Sequence, residues 1–325
     1  MKVGELTVAE LPLDVLHVLL SQWITTDDLA RVDSAACNKR FRKVFLEIVQ
    51  KPYFATEGFP SNTGTLTMNC IDGRYSLFLQ WMLMRQVQVQ VLDLSLFSTV
   101  KHMNMQVGSF LSQVKSLKVS LEDKDTRQLA ETVLRNCAHN IQFLDLGSKV
   151  GDHDLSRFRG IQFPALQKLT LLECKASGRG TADFLQRTPQ LQNLVLDRTS
   201  EFNEDVVSSL RYRCPKLKTL SLRECKAVSL EALSTFPAKS LSTLDLSASA
   251  LDSIALTKYL PQLVRSTRNL NLSKASGLSP EALQAVSREQ FLDDKVVDIR
   301  HCPIKISLEL REKLSNSTGL FVLGI

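Results

Sequence analysis

The chain has 325 residues, a formal net charge of +6 and 44% hydrophobic residues, so a large apolar core can form. No apolar run approaches the ~18 residues of a membrane-spanning helix, and the opening Met1-Lys2-Val3-Gly4-Glu5 is not a basic segment followed by an apolar one, as a secretory leader would be. A helical membrane protein is excluded, and the expectation is an intracellular chain in the cytoplasm and/or nucleus. The seven cysteines then read as buried thiols, because the compartment is reducing. No C-x-x-C pair is present, which removes zinc ribbons and thioredoxin-like motifs. The basic excess is spread thinly. Its densest cluster, Lys39-Arg40-Phe41-Arg42-Lys43, reads as the solvated face of a helix, and no aromatic-interleaved RNA-binding pattern accompanies it.

Residues 6–50 read as a helical unit. Pro12 and Asp14 suit the first turn of a helix, and Val15, Leu16, Val18, Leu19 and Leu20 give it a broad apolar face ending near Trp23-Ile24. Thr25-Thr26-Asp27-Asp28 can cap a second helix from Leu29. Asn38 can start a third, with Phe41, Val44, Phe45 and Ile48 at spacings of three and four. A unit of this size is marginal alone and is expected to lean on the next part of the chain. Residues 55–73 are rich in turn formers and mark a boundary. Tyr75 to about Arg85 is a strongly apolar helix, suited to cover the raw end of a repeat array.

From residue 89 a pattern of three apolar positions recurs: Val89-Leu92-Leu94, Val114-Leu117-Val119, Ile141-Leu144-Leu146, Leu166-Leu169-Leu171, Leu191-Leu194-Leu196, Leu217-Leu220-Leu222 and Leu241-Leu244-Leu246. It continues through a weaker Thr267-Leu270-Leu272, a broken Asp294-Val297-Ile299 and Leu320-Leu323-Ile325. The ten central positions lie 24 to 27 residues apart. The spacing is that of a leucine-rich repeat. The last two residues of each triplet share one face of a short strand, and the first enters from a turn. A small residue is then required where the chain leaves the strand. Cys174, Thr199, Cys225, Ser249 and Cys302 occupy that place, where an enclosed side chain can meet backbone groups left free at the turn. Helices are expected between strands, at Thr126–Leu134, Asp205–Tyr212 and Pro280–Val286. Gly178-Arg179-Gly180-Thr181 lacks the Lys and spacing of a phosphate loop and reads as a loop before a helix at Ala182–Leu185.

The fold class is therefore α/β, a right-handed leucine-rich-repeat solenoid of about ten strand–helix repeats with a period of ~26 residues. The expected domains are 1–54 (helical module), 55–88 (loop and capping helix) and 89–325 (repeat domain). Strands sit ~4.8 Å apart and packed helices ~8–10 Å, so the array should bend with its strands on the concave face.

No catalytic set emerges. The five histidines are scattered, and none pairs with His or Cys at metal-ligand spacing. No cofactor, metal, nucleic-acid or membrane partner is expected. On the concave face, Leu172, Val195, Asp197, Arg198 and Arg223, with Asp245 one repeat on, place apolar side chains beside arginine. That combination suits a protein-binding hot spot.

Leu11-Pro12-x-Asp14-Val15-Leu16, Leu19-Leu20-x-x-Trp23-Ile24, Asp28-Leu29-Ala30-Arg31-Val32 and Cys37 with Arg40-Phe41-Arg42 together resemble an F-box, the small helical module that docks on a Skp1-type adaptor. The usual module has Cys or Ser followed three residues later by Trp, whereas here Phe41 follows Cys37 by four. The cysteine-containing repeats resemble those of F-box/leucine-rich-repeat proteins. The resemblance implies a substrate receptor of an SCF-type cullin ubiquitin ligase. Leu11, Pro12, Leu16, Leu20, Ile24 and Leu29 would meet the adaptor, and through it a cullin, while the concave face would hold a protein substrate. Such a subunit is not itself an enzyme. The alternative is a non-catalytic interaction scaffold whose N-terminal helices only cap the solenoid.

Overall fold

The computed structural model describes residues 114–325, except 123, 238–240, 292 and 325, together with residues 91–94 and 42, 43, 45 and 46. The expected first two N-terminal helices, the 55–73 loop and the apolar helix at 75–85 lie outside the described residues. The chain divides into two compact units, Met1–Ile141 and Gln142–Ile325.

In the first unit, residues 42, 43, 45 and 46 are helical, within the span expected for the third N-terminal helix, and Phe45 is buried. Strand β1 (Val91–Leu94) runs parallel to β2 (Ser116–Val119), with Leu92 opposite Leu117 and Leu94 opposite Val119. Helix α1 (Lys124–Cys137) comes next. It covers the expected Thr126–Leu134 and buries Ala130, Val133, Leu134 and Cys137.

The second unit holds strands β3 (Phe143–Ser148), β4 (Lys168–Leu172), β5 (Asn193–Val195), β6 (Thr219–Ser221), β7 (Leu241–Asp245), β8 (Thr267–Asn271), β9 (Lys295–Asp298) and β10 (Leu320–Leu323). Each is parallel to the next in chain order. Between them lie α2 (Asp152–Arg157), α3 (Gly178–Leu185), α4 (Glu204–Arg213), α5 (Leu230–Ser234), α6 (Ser253–Ser266), α7 (Pro280–Ser287) and α8 (Leu308–Ser315). This is an α/β leucine-rich-repeat solenoid. Leu144, Leu169, Leu194, Leu220, Leu244, Leu270 and Val297 stand in register across the strands. Each is no more than 2% exposed, as are Leu146, Leu171, Leu196, Leu222, Leu246, Leu272 and Ile299. Truncating one such leucine to alanine costs about 2–5 kcal/mol, since a packed layer cannot close over the hole.

Small polar side chains begin the helices. Ser177, Asn203, Ser229, Asp252, Ser279 and Ser307 each accept a hydrogen bond from a first-turn backbone N–H of α3 to α8 in order, and each cap contributes about 1 kcal/mol. The expected loop at Gly178–Thr181 is in fact the first turn of α3, capped by Ser177. The glycines are there because neighbours come close: a Cβ on Gly178 would collide with the Asn203 side chain, and one on Gly180 with the Asp152 carboxylate.

Two irregular repeats are corrected as well. Val322, not Leu323, stands opposite Val297, so the last triplet is displaced by one residue, and Leu323 is 43% exposed. Since side chains alternate faces along a strand, a one-residue slip exchanges core for surface. In the preceding repeat Asp294 is exposed, and Lys295 is buried instead. Its Nζ donates to the carbonyls of Thr267 (2.8 Å) and Arg265 (3.2 Å), which supply the partners a buried ammonium requires. Thr267, in the weak repeat, satisfies its buried hydroxyl by donating to Leu263 O at 2.8 Å.

The turns after β3 to β9 share a feature with no sequence signal. Lys149, Glu173, Arg198, Glu224, Ala248, Lys274 and His301 all have positive φ, between 49° and 61°. For residues with a Cβ this left-handed conformation costs roughly 1–2 kcal/mol each. In the first six of them the N–H donates to a carbonyl of the following repeat, at 2.7–3.0 Å: to Leu172, Asp197, Arg223, Ser247, Ser273 and Arg300. Ala248 is exposed and isolates the backbone effect. Ala248→Gly relieves about 1–2 kcal/mol of strain against about 0.4–1 kcal/mol of added unfolded-chain entropy. The variant is expected to be more stable by about 0.5–1 kcal/mol in urea unfolding followed by circular dichroism. Equal or lower stability would contradict the strain assignment.

Candidate functional site

The strand face of the second unit presents three rows, because side chains alternate at a period of two. The row after each central leucine contains Asp145, Thr170, Val195, Ser221, Asp245, Asn271 and Asp298, in register. Two residues further on lie Leu172, Asp197, Arg223, Ser247, Ser273 and Arg300. The row before each central leucine runs Phe143, Lys168, Asn193, Thr219, Thr243, Asn269, Val296 and Phe321. Sequence reasoning named residues of the first two rows and none of the third, although the same alternation points to it. Phe143 and Phe321, at its two ends, are 43% and 55% exposed.

Leu172, Asp197 and Arg223 occupy the same position in three successive repeats, and Val195 lies between Thr170 and Ser221. Leu172 and Val195 are half-buried, whereas Arg198 and Arg223 are exposed. Asp245 stands one repeat further along, opposite Ser221.

The carboxylates here are engaged by the fold. Asp145, Asp245 and Asp298 each accept the N–H two residues on, at 2.9–3.0 Å, and Asn271 does the same with its amide oxygen at 3.0 Å. These are Asx turns that fix where the strand ends. In β6 the equivalent residue is Ser221, whose hydroxyl here donates instead of accepting the turn N–H. Asp197 of the preceding repeat supplies the acceptor instead: Ser221 Oγ and the Arg223 N–H both donate to Asp197 Oδ1, at 2.6 and 3.1 Å. The Arg198 guanidinium lies 3.3 Å from the Glu173 carboxylate. Arg223 is left with its backbone bonded and its side chain projecting into solvent.

The turn thiols are structural. Cys225 Sγ donates to Leu196 O at 3.3 Å, and Cys302 Sγ to Leu272 O at 2.9 Å. Ser249 Oγ repeats the contact, donating to Leu222 O at 2.7 Å. Burial pushes the Cys225 and Cys214 thiols up to about 11 and Cys137 up to about 12. Cys174 and Cys302 are also raised by burial. A thiol that holds its proton at neutral pH is a poor nucleophile. Among the described residues no group of three His, Cys, Asp or Glu can hold a metal ion, and no helix is long and apolar enough to cross a membrane. On the helix side, a polar recess of about 320 Å³ lies between α2 and α3, lined by residues including Asp152, Arg159, Arg179, Asp183 and Arg187. Its acid Asp152 is bonded to Ser177 N and Oγ, at 3.0 Å each. Arg187 is tied to the carbonyls of Phe158 and Asp183.

The described geometry defines a leucine-rich-repeat protein. Residues 110–256 match the family model for the leucine-rich repeats of FBD-associated F-box protein At5g56370. Among solved structures, the human 5T4 crystal structure (Wnt-activated inhibitory factor 1, trophoblast glycoprotein) is 16% identical with a TM-score of 0.41. The match covers 65% of this chain and 78% of that one. No curated protein matches the chain. The six residues expected to meet an adaptor, Leu11, Pro12, Leu16, Leu20, Ile24 and Leu29, lie outside the described residues.

The site chemistry can be checked at two points. With iodoacetamide at neutral pH, folded protein should label Cys302 faster than Cys137, Cys214 or Cys225, read site by site by mass spectrometry. Rapid labelling of Cys225 would contradict the buried, protonated thiol. Asp298, hydrogen-bonded by the Arg300 side chain (Nη2–Oδ2 2.6 Å), titrates below the ordinary carboxylate value, chiefly through that bond. A depressed folded value stabilises the native state fully above the ordinary carboxylate range, and this stabilisation is lost as pH falls through the depressed value. Arg300→Ala should move the Asp298 titration upward in carboxyl-resolved NMR and weaken the dependence of stability on pH in the acid range. An unchanged titration would remove Arg300 as the cause.

Proposed function

We propose that this chain is the substrate-receptor subunit of an SCF-type cullin ubiquitin ligase, acting in the cytoplasm and/or nucleus. One observation carries the reading. The Leu11–Phe41 segment, which resembles an F-box, precedes a repeat region whose residues 110–256 match the repeats of an F-box protein. The apolar residues Leu11, Pro12, Leu16, Leu20, Ile24 and Leu29 would dock on a Skp1-like adaptor and through it reach a cullin. The strand face around Leu172, Val195, Asp197, Arg198, Arg223 and Asp245 would hold the protein substrate. The chain itself makes and breaks no bond. It holds substrate near a ubiquitin-loaded enzyme and so converts a bimolecular encounter into a local one, at effective concentrations of order millimolar for short tethers.

The departure at Cys37 and Phe41 favours a second reading, an interaction scaffold whose N-terminal helices only cap the solenoid. A pull-down of intact protein with a Skp1-type adaptor separates the two. The receptor reading expects capture, and expects Leu16→Asp with Leu20→Asp to abolish it while the circular dichroism of the repeats stays near native. No capture, alongside a bona fide F-box that is captured, leaves the scaffold reading.

A further inference from the structure

Charges along the turns at the C-terminal ends of the strands are used unequally. The acids are held within the fold. Glu173 pairs with Arg198, Asp197 binds Ser221 and the Arg223 N–H, and Asp245 and Asp298 close their own turns. The cations Lys149, Lys175, Arg223, Lys226 and Lys274 are exposed, and none forms an ion pair among the described residues. Glu224 is the exposed acid that interrupts this row. The carboxylates keep their charge but have their oxygens engaged, so the charged groups free to pair with a partner here are mainly cations.

We infer that the partner held on this side presents an acidic segment in extended conformation across the strand ends. This inference rests on the reading that the strand face is the partner-binding face. Lys149 follows β3, Lys175 follows β4, Arg223 and Lys226 follow β6, and Lys274 follows β8, so these exposed cations stand at four of the turns. Lys175 and Lys226 each stand five residues past the register-matched Thr170 and Ser221, two strands apart; at ~4.8 Å per strand that is ~9–10 Å, which an extended chain rising ~3.3 Å per residue covers in about three residues. A segment with carboxylates three residues apart can reach both lysines. Charge complementarity of this kind steers encounter and sets register more than it adds affinity, and the half-buried Leu172 and Val195 beside the row supply apolar contact.

The test uses full-length protein and fluorescein-labelled 15-residue peptides read by anisotropy. One peptide repeats Glu-Ala-Ser; a second has Gln in place of Glu; a third probe is a single-stranded oligodeoxynucleotide of the same net charge as the first. The Glu peptide should bind about tenfold tighter than the Gln peptide and weaken as salt rises. Arg223→Glu with Lys226→Glu should weaken it about tenfold, and Lys175→Glu with Lys274→Glu should repeat the loss. Arg211→Glu with Arg311→Glu, on the exposed sides of α4 and α8, should leave it unchanged. Equal binding of the Glu and Gln peptides, equal loss in the helix-side variant, or tighter binding of the oligonucleotide would each overturn the inference. If the adaptor is captured but the Glu peptide shows no preference, the acidic-partner inference fails alone. If the preference holds but no adaptor is captured, the ligase reading fails alone.

Discussion

The structure depends on backbone hydrogen bonds that run from one repeat to the next and do not stop where the strands stop. The N–H of Leu196, Leu222, Leu246, Leu272 and Ile299 each reaches the following repeat at 2.7–2.9 Å, and at Arg198, Glu224, Ala248 and Lys274 the left-handed residue two positions later does so again. A three-residue strand such as β5 or β6 makes few ladder bonds. The continuation through the turn gives each repeat further attachments to its neighbour. It also explains why strained backbone is tolerated at an exposed position: the left-handed residue aims its N–H along the array. A buried donor left unpaired costs about 1–3 kcal/mol, comparable with the strain itself. The turn conformation is thus held by neighbours, with no glycine needed to permit it.

The leucine spacing made most of this fold legible in advance. A residue that must be core in every repeat leaves a periodic mark, and Leu144 through Val297 kept it. The start of α7 was legible for a related reason, because Pro280 suits the first position of a helix, whereas Ser279 and the other caps of the repeats were not singled out. What was hidden depended on neighbours 24 to 30 residues away. Gly178 and Gly180 looked like loop residues because the Asn203 and Asp152 side chains that crowd them come from adjacent repeats. Buried Lys295 looked like a broken repeat because its acceptors are carbonyls of the previous one. The slip at Val322 occurred where only a single strand remained to set the register. Of the candidate site, its position on the strand face was legible. The engagement of its carboxylates was not, because Asp197 reads as a free surface acid until its bonds to Ser221 and the Arg223 N–H are seen.

The thiols and carboxylates of this face share a logic that bears on function. Cys225, Ser249 and Cys302 donate to a carbonyl of the preceding repeat, and Asp245, Asn271 and Asp298 accept from a turn N–H of their own. Side chains that often do chemistry in enzymes here close hydrogen bonds of the backbone. What remains outward is a set of exposed cations and a few apolar groups, which suits holding a partner rather than transforming one.

Asp197 carries a consequence for how the array can change. At the ends of β3, β7, β8 and β9 the side-chain acceptor and the turn donor belong to the same repeat, so this contact does not tie such a repeat to its neighbour. At β6 the acceptor comes from the repeat before, because Ser221 replaces the aspartate or asparagine found at Asp245, Asn271 and Asp298. The repeats of β5 and β6 are therefore joined as a pair. A recombination that cut between them would strand a carboxylate on one side and a bare turn on the other.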